Sequence, residues 1–212
     1  ENVMDHYFKF DIKKRCLLTA TMREFSNPRL LYEARFDLTD YRPKRNINLI
    51  HSNNINATVK SEIKRHTDGN KVLIAYNSIT QIMGIIYNLD TETQKKCAIL
   101  CSEASEKETD GYYAELQNNK LPNTIVFATC SYFAGIDIDD SYHLITVSNA
   151  NRFFQILSVD KMTQIAGRCR IENGLLSETI VYNTPKNVGT LNNGTFQENL
   201  LNKAHKIIEL YN

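Results

Sequence analysis

The sequence predicts an α/β domain in which helices cover both faces of a doubly wound, mostly parallel sheet, giving three layers. Three observations support this fold class. Short apolar runs alternate with helix-length stretches, most of these runs are apolar on both faces, and the 212 residues suffice for one good-sized core. Strands that are apolar on both faces are typical of parallel sheets buried between helices.

Seven apolar runs are predicted as strands. In chain order they are RCLLTAT (15–21), INLIHS (47–52), KVLIAYN (71–77), KCAILCS (96–102), NTIVFAT (123–129), HLITVS (143–148) and ETIVYN (178–183). Most of them lack the strict alternation of polar and apolar residues that a sheet with one solvated face shows. The sequence therefore favours strands that are buried on both sides.

Five stretches are predicted as helices from apolar spacing and from cap or stop signals. They are 56–69, which stops at Gly69; 78–89 and 158–170, which both open on Ser; 110–122, which ends at Pro; and the amphipathic tail 195–211. Strands that alternate with helices imply βαβ units and hence a doubly wound sheet. We expect the tail to pack back on the sheet, with the start of an accessory domain as the alternative.

Two polar stretches predict the domain boundaries. The segment TDYRPKRN (39–46) is polar and basic and is predicted as a linker. The segment NTPKNVGTLNNGT (183–195) is rich in Pro, Gly and Asn and is predicted as a hinge. This division gives 1–40 before the linker, one domain at 41–185, and a hinge with a C-terminal helix at 186–212.

Charge and cysteine content restrict the class of protein. The net charge is only +1, so binding to nucleic acid would have to come from a local patch. Five cysteines, an odd number without dense spacing, favour a reducing compartment over a disulfide scaffold. Cys97 and Cys101 lie in a predicted strand, where buried thiols are favoured over a zinc pair, and no metal site is predicted. With no apolar segment of ~18 residues and no signal peptide, we expect a cytoplasmic protein without a membrane partner.

The segment TIVFATCSYFAGIDIDD (124–140) carries the first candidate site. Ligands of doubly wound sheets bind beyond the carboxyl ends of strands, so the loop that starts at Thr129 is expected on the functional edge. Thr129 offers a hydroxyl and an N–H group to a phosphate, and Gly135 permits a close backbone approach or a positive φ. Asp137 can accept from a hydroxyl or pair with an arginine. Taken alone, the pattern also fits a plain strand, turn and second strand.

The segment QIAGRCR (164–170), on the predicted helix 158–170, carries the second candidate site. Gln164 and Arg168 are four residues apart and would share a helix face, while Gly167 would let that helix approach another backbone. Arg168 is expected to project toward the same edge as the loop above. Arginine suits a phosphate placed across an interface because its guanidinium is always charged and forked. A solvated pair of arginines is the alternative interpretation.

These segments resemble the C-terminal RecA-like domain of superfamily 2 helicases and translocases. KVLIAYNS (71–78) resembles motif IV, TIVFATCSYFAGIDIDD resembles motif V, and QIAGRCR resembles motif VI. Upstream, CLLTATM (16–22) resembles motif III, which follows the last strand of the N-terminal RecA-like domain. The resemblance covers residues 15–183 and implies a RecA-like fold without its own P-loop. It makes 1–40 a remnant of the first RecA-like domain plus linker, and the chain a piece of a longer polypeptide.

The resemblance also implies roles for individual residues. Arg168 would be the arginine finger at the γ-phosphate of ATP, with Arg170 as second arginine and Gln164 coupling the nucleotide to domain closure. Residues near the nucleotide or coupled to it would be Gly135, Asp137, Gly167, Thr19 and Thr21. Residues that contact the nucleic-acid backbone would be Thr129, Asn77 and Ser78.

Three features of the sequence depart from the family pattern. Arg170 follows Arg168 by two residues instead of three, which on a helix moves its side chain by ~100°. Cys130 stands where an acidic residue is common, and LCSEASEKET (100–109) lacks the Gly common after that strand in DEAD-box members. Together these departures disfavour a standard DEAD-box RNA helicase and suit a more divergent member.

No Gly-x-x-x-x-Gly-Lys-Ser/Thr segment and no Asp-Glu-x-Asp/His run occurs in the chain. ATP with Mg²⁺ would therefore be bound mainly by the N-terminal RecA-like domain of the same parent chain. We expect the C-terminal motor domain of an ATP-dependent helicase or translocase that acts on a DNA or RNA single strand and is inactive as an ATPase alone. A degenerate docking module for protein or nucleic acid is the alternative. A Rossmann-like enzyme is disfavoured because no Gly-x-Gly-x-x-Gly follows a strand.

Overall fold

The computed structural model describes residues 45–66 and 69–184, together with tail positions 194, 198, 201, 202, 204 and 205. The chain divides into two units, Glu1–Pro43 and Lys44–Asn212, and every described residue belongs to the second. The predicted strand 15–21 and the candidate residues Thr19 and Thr21 lie outside the described residues.

Six parallel strands form one sheet. They are β1 (Ile47–His51), β2 (Lys71–Ala75), β3 (Cys97–Leu100), β4 (Ile125–Ala128), β5 (Tyr142–Ser148) and β6 (Leu175–Tyr182). Their order across the sheet is β1-β6-β5-β2-β4-β3, and every neighbouring pair runs parallel. Each strand overlaps a run predicted from the sequence, although β6 begins at Leu175, three residues before its predicted start at 178. The prediction of a doubly wound α/β fold is therefore confirmed.

Helices flank the sheet. They are α1 (Ile55–Arg65), α2 (Ile79–Tyr87), the short α3 (Thr91–Gln94) and α4 (Val159–Ala166). Ser78 and Ser158 cap α2 and α4, since their hydroxyls accept from the N–H groups of Gln81 and Lys161. These caps satisfy N–H groups that the first helical turn leaves unpaired, which explains why both helices begin where the sequence predicts.

Each face of the sheet has its own apolar core, because alternate residues of a strand point to opposite faces. On one face, Ile74 and Tyr76 of the β2 segment pack with α1 and α2 through residues such as Val59 and Ile82. On the other face, Leu73 packs with Ile165 and Ala166 of α4 and with the connection that follows β4, which contributes Phe133 and Ile138. This second core supports the candidate site.

Cys97 and Cys101 lie in the first of these cores, and both thiols are buried. Burial raises the pKa of Cys97 to about 12 and also raises the pKa of Cys101. Both thiols therefore stay protonated at neutral pH, and the prediction of buried thiols is confirmed.

The predicted helix at 110–122 is wrong. Asp110, Gly111, Asn118 and Asn119 all have positive φ angles, between 47° and 82°, which an α-helix does not allow. Tyr113 forms an isolated bridge with Ile99 of β3, so this stretch runs along the sheet edge instead. The Asp-Gly and Asn-Asn pairs were the turn signals that outweigh the helical spacing.

Three predicted helices differ in their ends. α1 ends at Arg65 and α2 at Tyr87, and α4 ends at Ala166, four residues before its predicted end at 170. The six described tail residues are helical, and Leu201, one of the apolar residues of the tail, is exposed. Within the described parts of the chain, no helix combines the length and the apolar character needed to cross a membrane.

Candidate functional site

The connection from β4 to β5 crosses one face of the sheet. β4 ends at the carboxyl edge and β5, which is parallel to it, starts at the amino edge, so the connection has to return between them. It begins with a 3₁₀ turn, Cys130–Tyr132, and buries Phe133 and Ile138 in the core below it. Gly135 has φ +76° within this crossing, and no atom lies within 4 Å of the place where a Cβ would stand. The backbone conformation, and not a lack of space, is what requires glycine there.

The two motif-like segments meet backbone to backbone. The N–H of Ile138 donates to the carbonyl of Arg168 at 2.9 Å, and the N–H of Arg170 donates to the carbonyl of Ile138 at 3.0 Å. These bonds form a short parallel bridge between Ile138 and Cys169. Residues 136–138 and 168–170 are therefore held in register. We call the side chains of Arg168, Arg170 and Asp137 the arginine cluster.

Arg168 is half-buried in the arginine cluster and is held by main-chain oxygens. Its Nη1 donates to the carbonyl of Ile136 at 3.0 Å, and its Nε donates to the carbonyl of Gln164 at 2.9 Å. Among the described residues, Arg168 takes part in no ion pair. Its charge is therefore oriented by neutral groups and is not neutralised, which leaves it able to attract an anion.

Arg170 pairs with Asp137 instead. Its Nε lies 2.6 Å from the Asp137 Oδ1, and the two side chains are 52% and 49% exposed. Such an exposed pair adds little to the stability of the fold. The pair neutralises the charge of Asp137. Among the described residues, Arg168 therefore has no acidic partner, whereas Arg170 has one.

The expected helical geometry of the second segment is wrong. α4 ends at Ala166, so Arg168 and Arg170 lie beyond the helix, in backbone that pairs with residues 136–138. Because this stretch is not helical, the two-residue spacing does not turn the arginines to different faces. Both guanidinium groups reach the same short segment, one through the Ile136 carbonyl and the other through Asp137.

Gly167 does not bring the helix close to another backbone. It is the C-cap of α4 with φ −75°, which any residue can adopt. A Cβ there would meet the carbonyl oxygens of Thr163 and Gln164 of the same helix at 3.4 and 3.5 Å. Gln164 is half-buried, and its carbonyl accepts the Arg168 Nε–H. The main chain at the end of α4 therefore orients the arginine.

The residues predicted to contact nucleic acid gather at the carboxyl edge of the sheet. The Asn77 Nδ2 donates to the carbonyl of Phe154 at 2.9 Å, and the Asn77 Oδ1 accepts from the N–H of Cys130 at 3.2 Å. Ser78 caps α2. Thr129 is buried, with its hydroxyl 3.4 Å from the Leu100 carbonyl. These side chains therefore organise the edge, and Asn77 ties together the loops that follow β2, β4 and β5.

The prediction that Arg168 and the loop starting at Thr129 lie at one edge of the sheet is wrong. The candidate residues form two groups, the arginine cluster and the residues around Thr129 and Asn77. Asp140 follows the arginine cluster and accepts from Lys71 Nζ at 2.9 Å and from the N–H of Leu121 at 2.6 Å. Lys71 is the first residue of β2, so the arginine cluster lies nearer the beginnings of the strands, whereas Thr129 lies at their ends. The crossing connection joins the two groups.

Two further asparagines at the carboxyl edge, Asn149 and Asn183, were missed from the sequence and form a row with Asn77. Asn149 follows β5, and its Nδ2 donates to the Tyr76 hydroxyl at 3.0 Å, while its Oδ1 accepts from Asn183 Nδ2 at 3.2 Å. Asn77, Asn149 and Asn183 follow three adjacent strands, β2, β5 and β6. The repeated ending of these runs on Asn (AYN, VSN, VYN) was the signal in the sequence.

A cavity of about 540 Å³ lies away from both groups, between α1 and the beginnings of β1 and β6. Its lining includes Glu62, His66 and Glu178. The ring of His66 stacks on that of His143 at 4.0 Å between centroids, and the Nδ1 of His143 lies 2.8 Å from the Ser177 hydroxyl. In the part of the chain that the structure describes, no group of three or more His, Cys, Asp or Glu side chains is arranged to hold a metal ion.

Comparison of the chain with known protein families and with curated proteins finds no match to either.

Proposed function

We propose that this chain is the second motor domain of an ATP-dependent helicase or translocase acting on a DNA or RNA single strand. The observation that carries the proposal is the position of Arg168, which is oriented by two carbonyls, lacks an acidic partner among the described residues and lies against the Gly135–Asp137 turn. An arginine held in this way is suited to a phosphate that arrives from outside the domain.

Arg168 acts as the arginine finger in this proposal. The guanidinium keeps its charge at any physiological pH, and its fork matches the geometry of phosphate oxygens. Asp137 is occupied by Arg170, which keeps a carboxylate from competing with the phosphate for Arg168. In the absence of a phosphate, the carbonyls of Ile136 and Gln164 hold the Arg168 side chain. Breaking these two hydrogen bonds costs little free energy when hydrogen bonds to a phosphate replace them.

ATP and Mg²⁺ are the cofactors that the family resemblance implies. The group of this chain that fits them is Arg168, whereas the phosphate cradle and the carboxylates for Mg²⁺ would come from the N-terminal RecA-like domain of the parent chain. Bound there, Mg²⁺ would neutralise charge on the transferred phosphoryl group. We therefore expect no useful ATP hydrolysis by this chain alone.

The carboxyl edge is the surface that we assign to the nucleic acid. Its loops are fixed to one another through Asn77, so a strand bound there would move together with the domain. Closing the cleft on ATP and opening it after hydrolysis would then shift this grip along the strand.

Arginine substitution in the protein that carries both domains tests the proposal. We expect Arg168→Ala to lower ATP turnover by about 10³-fold or more, the effect typical of a lost arginine finger. Arg168→Lys should recover little of it, because lysine keeps the charge but loses the fork. Turnover is measured at saturating single-stranded nucleic acid.

Arg65→Ala is the matched control. Arg65 lies at the end of α1, is paired with Glu62 and is far in the chain from both groups of the site. Its guanidinium is exposed, although Glu62 is buried, and it belongs to neither group of the site. Its substitution should therefore leave turnover within about twofold of the unmodified protein. Undiminished turnover of Arg168→Ala would contradict the proposal and favour the docking module.

A further inference from the structure

The loop between β5 and α4, together with the first residue of α4, exposes several large apolar side chains at the carboxyl edge. Phe153 is 87% exposed, Phe154 and Ile156 are each 49% exposed, and Val159 is 77% exposed. Phe153 and Phe154 stand edge to face, with ring centroids 5.9 Å apart and planes at 88°. Neighbouring exposed aromatic residues contribute little to the core, and together they mark a site of interaction.

The backbone of this loop is fixed, so the exposure is built in. The N–H of Gln155 donates to the Arg152 carbonyl at 2.9 Å, and the N–H of Asn149 donates to the Gln155 carbonyl at 3.1 Å. Asn77 donates to the Phe154 carbonyl, and the Gln155 side chain is buried. Because the loop is anchored on both sides of the phenylalanines, their rings are presented outward at little cost in conformational entropy.

Charge and position favour nucleobases as the occupant of this loop. Arg152, which directly precedes Phe153 in the chain, and Lys161, in the first turn of α4, are exposed, whereas Asp160 is half-buried. Aromatic faces next to basic side chains are the combination that binds single-stranded nucleic acid without sequence preference. Through Asn77 the loop is also continuous with the edge that we assign to the strand.

We propose that Phe153 and Phe154 form a stacking platform for the bases of a single strand, with Arg152 positioned to contact its phosphates. The inference rests on the proposed function, because it places a base contact on the edge that the motor uses to grip. The platform recognises unpaired bases of DNA or RNA alike, since every base has a π-face. A duplex, whose bases are already stacked, should bind it less well.

A tryptophan introduced at this position gives a direct readout, because the chain contains no tryptophan. The 212-residue Phe153→Trp variant is titrated with single-stranded oligothymidylate and oligouridylate of 20 nucleotides at low salt. We expect saturable quenching of the tryptophan fluorescence as a base stacks on the indole. Anisotropy of the labelled oligonucleotides measures the affinity in parallel, and Phe153→Ala should weaken it by about 5- to 150-fold.

Two matched variants separate stacking from other causes. Tyr87→Trp places the indole on another exposed aromatic position, 56% exposed at the far end of α2, and should show no quenching. Phe153→Leu keeps an apolar side chain but has no π-face, so it should weaken binding as much as Phe153→Ala. If Phe153→Leu binds like the unmodified chain, the patch is an apolar protein-docking surface and the inference is wrong.

Failure of this inference is distinguishable from failure of the proposed function. Oligonucleotide binding without quenching of Trp at position 153, equal quenching by ATP alone, or no binding by any form overturns the stacking platform. None of these results changes the turnover expected for Arg168→Ala in the two-domain protein. Conversely, quenching with undiminished turnover supports the platform and contradicts the motor.

Discussion

At the scale of single residues, Arg168 and Arg170 have different surroundings although they are two positions apart. Arg170 pairs with Asp137 at 2.6 Å, whereas Arg168 is held only by the carbonyls of Ile136 and Gln164. An arginine bound by neutral oxygens keeps its attraction for an anion. The structure therefore distinguishes the arginine that could serve a phosphate from the one that stabilises the turn beside it.

Glu178 shows the opposite situation, a buried acid with an incomplete set of partners. Its side chain is buried, the Arg45 Nε lies 3.6 Å from Oε2, and that oxygen accepts no hydrogen bond. Burial raises the pKa of Glu178, and Arg45 opposes this effect only in part. The protonated form is thus favoured in the folded state, so the fold loses stability as pH rises above the ordinary value of about 4.5.

We therefore predict that Glu178→Gln, which removes the ionisation, stabilises the chain at pH 8. The difference in Tm between the variant and the unmodified chain should be smallest at pH 3.5, below the ordinary pKa of about 4.5, and should widen toward pH 8. Thermal unfolding followed by circular dichroism at the two pH values measures it. A variant that is less stable at pH 8, or a difference that does not change with pH, would refute the prediction.

At the scale of elements, the carboxyl edge is organised by asparagine side chains that follow adjacent strands. Asn77 uses its amide N–H for the Phe154 carbonyl and its amide oxygen for the Cys130 N–H. Both bonds join loops that secondary structure leaves unconnected. An asparagine is suited to this because one short side chain carries both a donor and an acceptor.

Removal of this amide should loosen both loops at once. We predict that Asn77→Ala lowers the free energy of unfolding by about 1 kcal/mol, because both hydrogen bonds lie at the exposed edge of the sheet and water can replace them in part. Amide hydrogen exchange at Cys130 and Phe154–Ile156 should quicken before exchange in β2 does. Thr80→Ala, at an exposed neighbouring position of α2, is the control and should leave both loops protected. Unchanged exchange at Cys130 in Asn77→Ala would show that the amide does not hold the loop.

At the scale of the whole molecule, the sequence allowed the sheet to be predicted because parallel strands buried on both faces read as continuous apolar runs. All six strands of the described sheet were found in this way. The helix predicted at 110–122 failed because four residues with positive φ override its apolar spacing. Positive φ angles are favoured by Gly, Asn and Asp in turns, and the spacing of apolar residues carries no information about them.

The candidate site was harder to predict than the sheet. The approach of Arg168 to the turn at Gly135 followed from the two motifs, but their register, Ile138 against Cys169, depends on where α4 ends. The separation of Thr129 from the arginine cluster follows from the return crossing between parallel strands, which motif spacing alone does not show. The exposure of Phe153 depends on loop anchors such as Asn149 that lie outside both motifs.

The central claim is that Arg168 binds the γ-phosphoryl group of ATP more tightly in the transition state of transfer than in the ground state. The measurement that tests it most directly compares the affinities of the two-domain protein for ADP and for ADP with aluminium fluoride, which mimics the transferring phosphoryl group. We predict that Arg168→Ala weakens binding of the analogue by at least about 100-fold and leaves the affinity for ADP within about threefold. Equal losses for both ligands, or no loss for either, would contradict the claim.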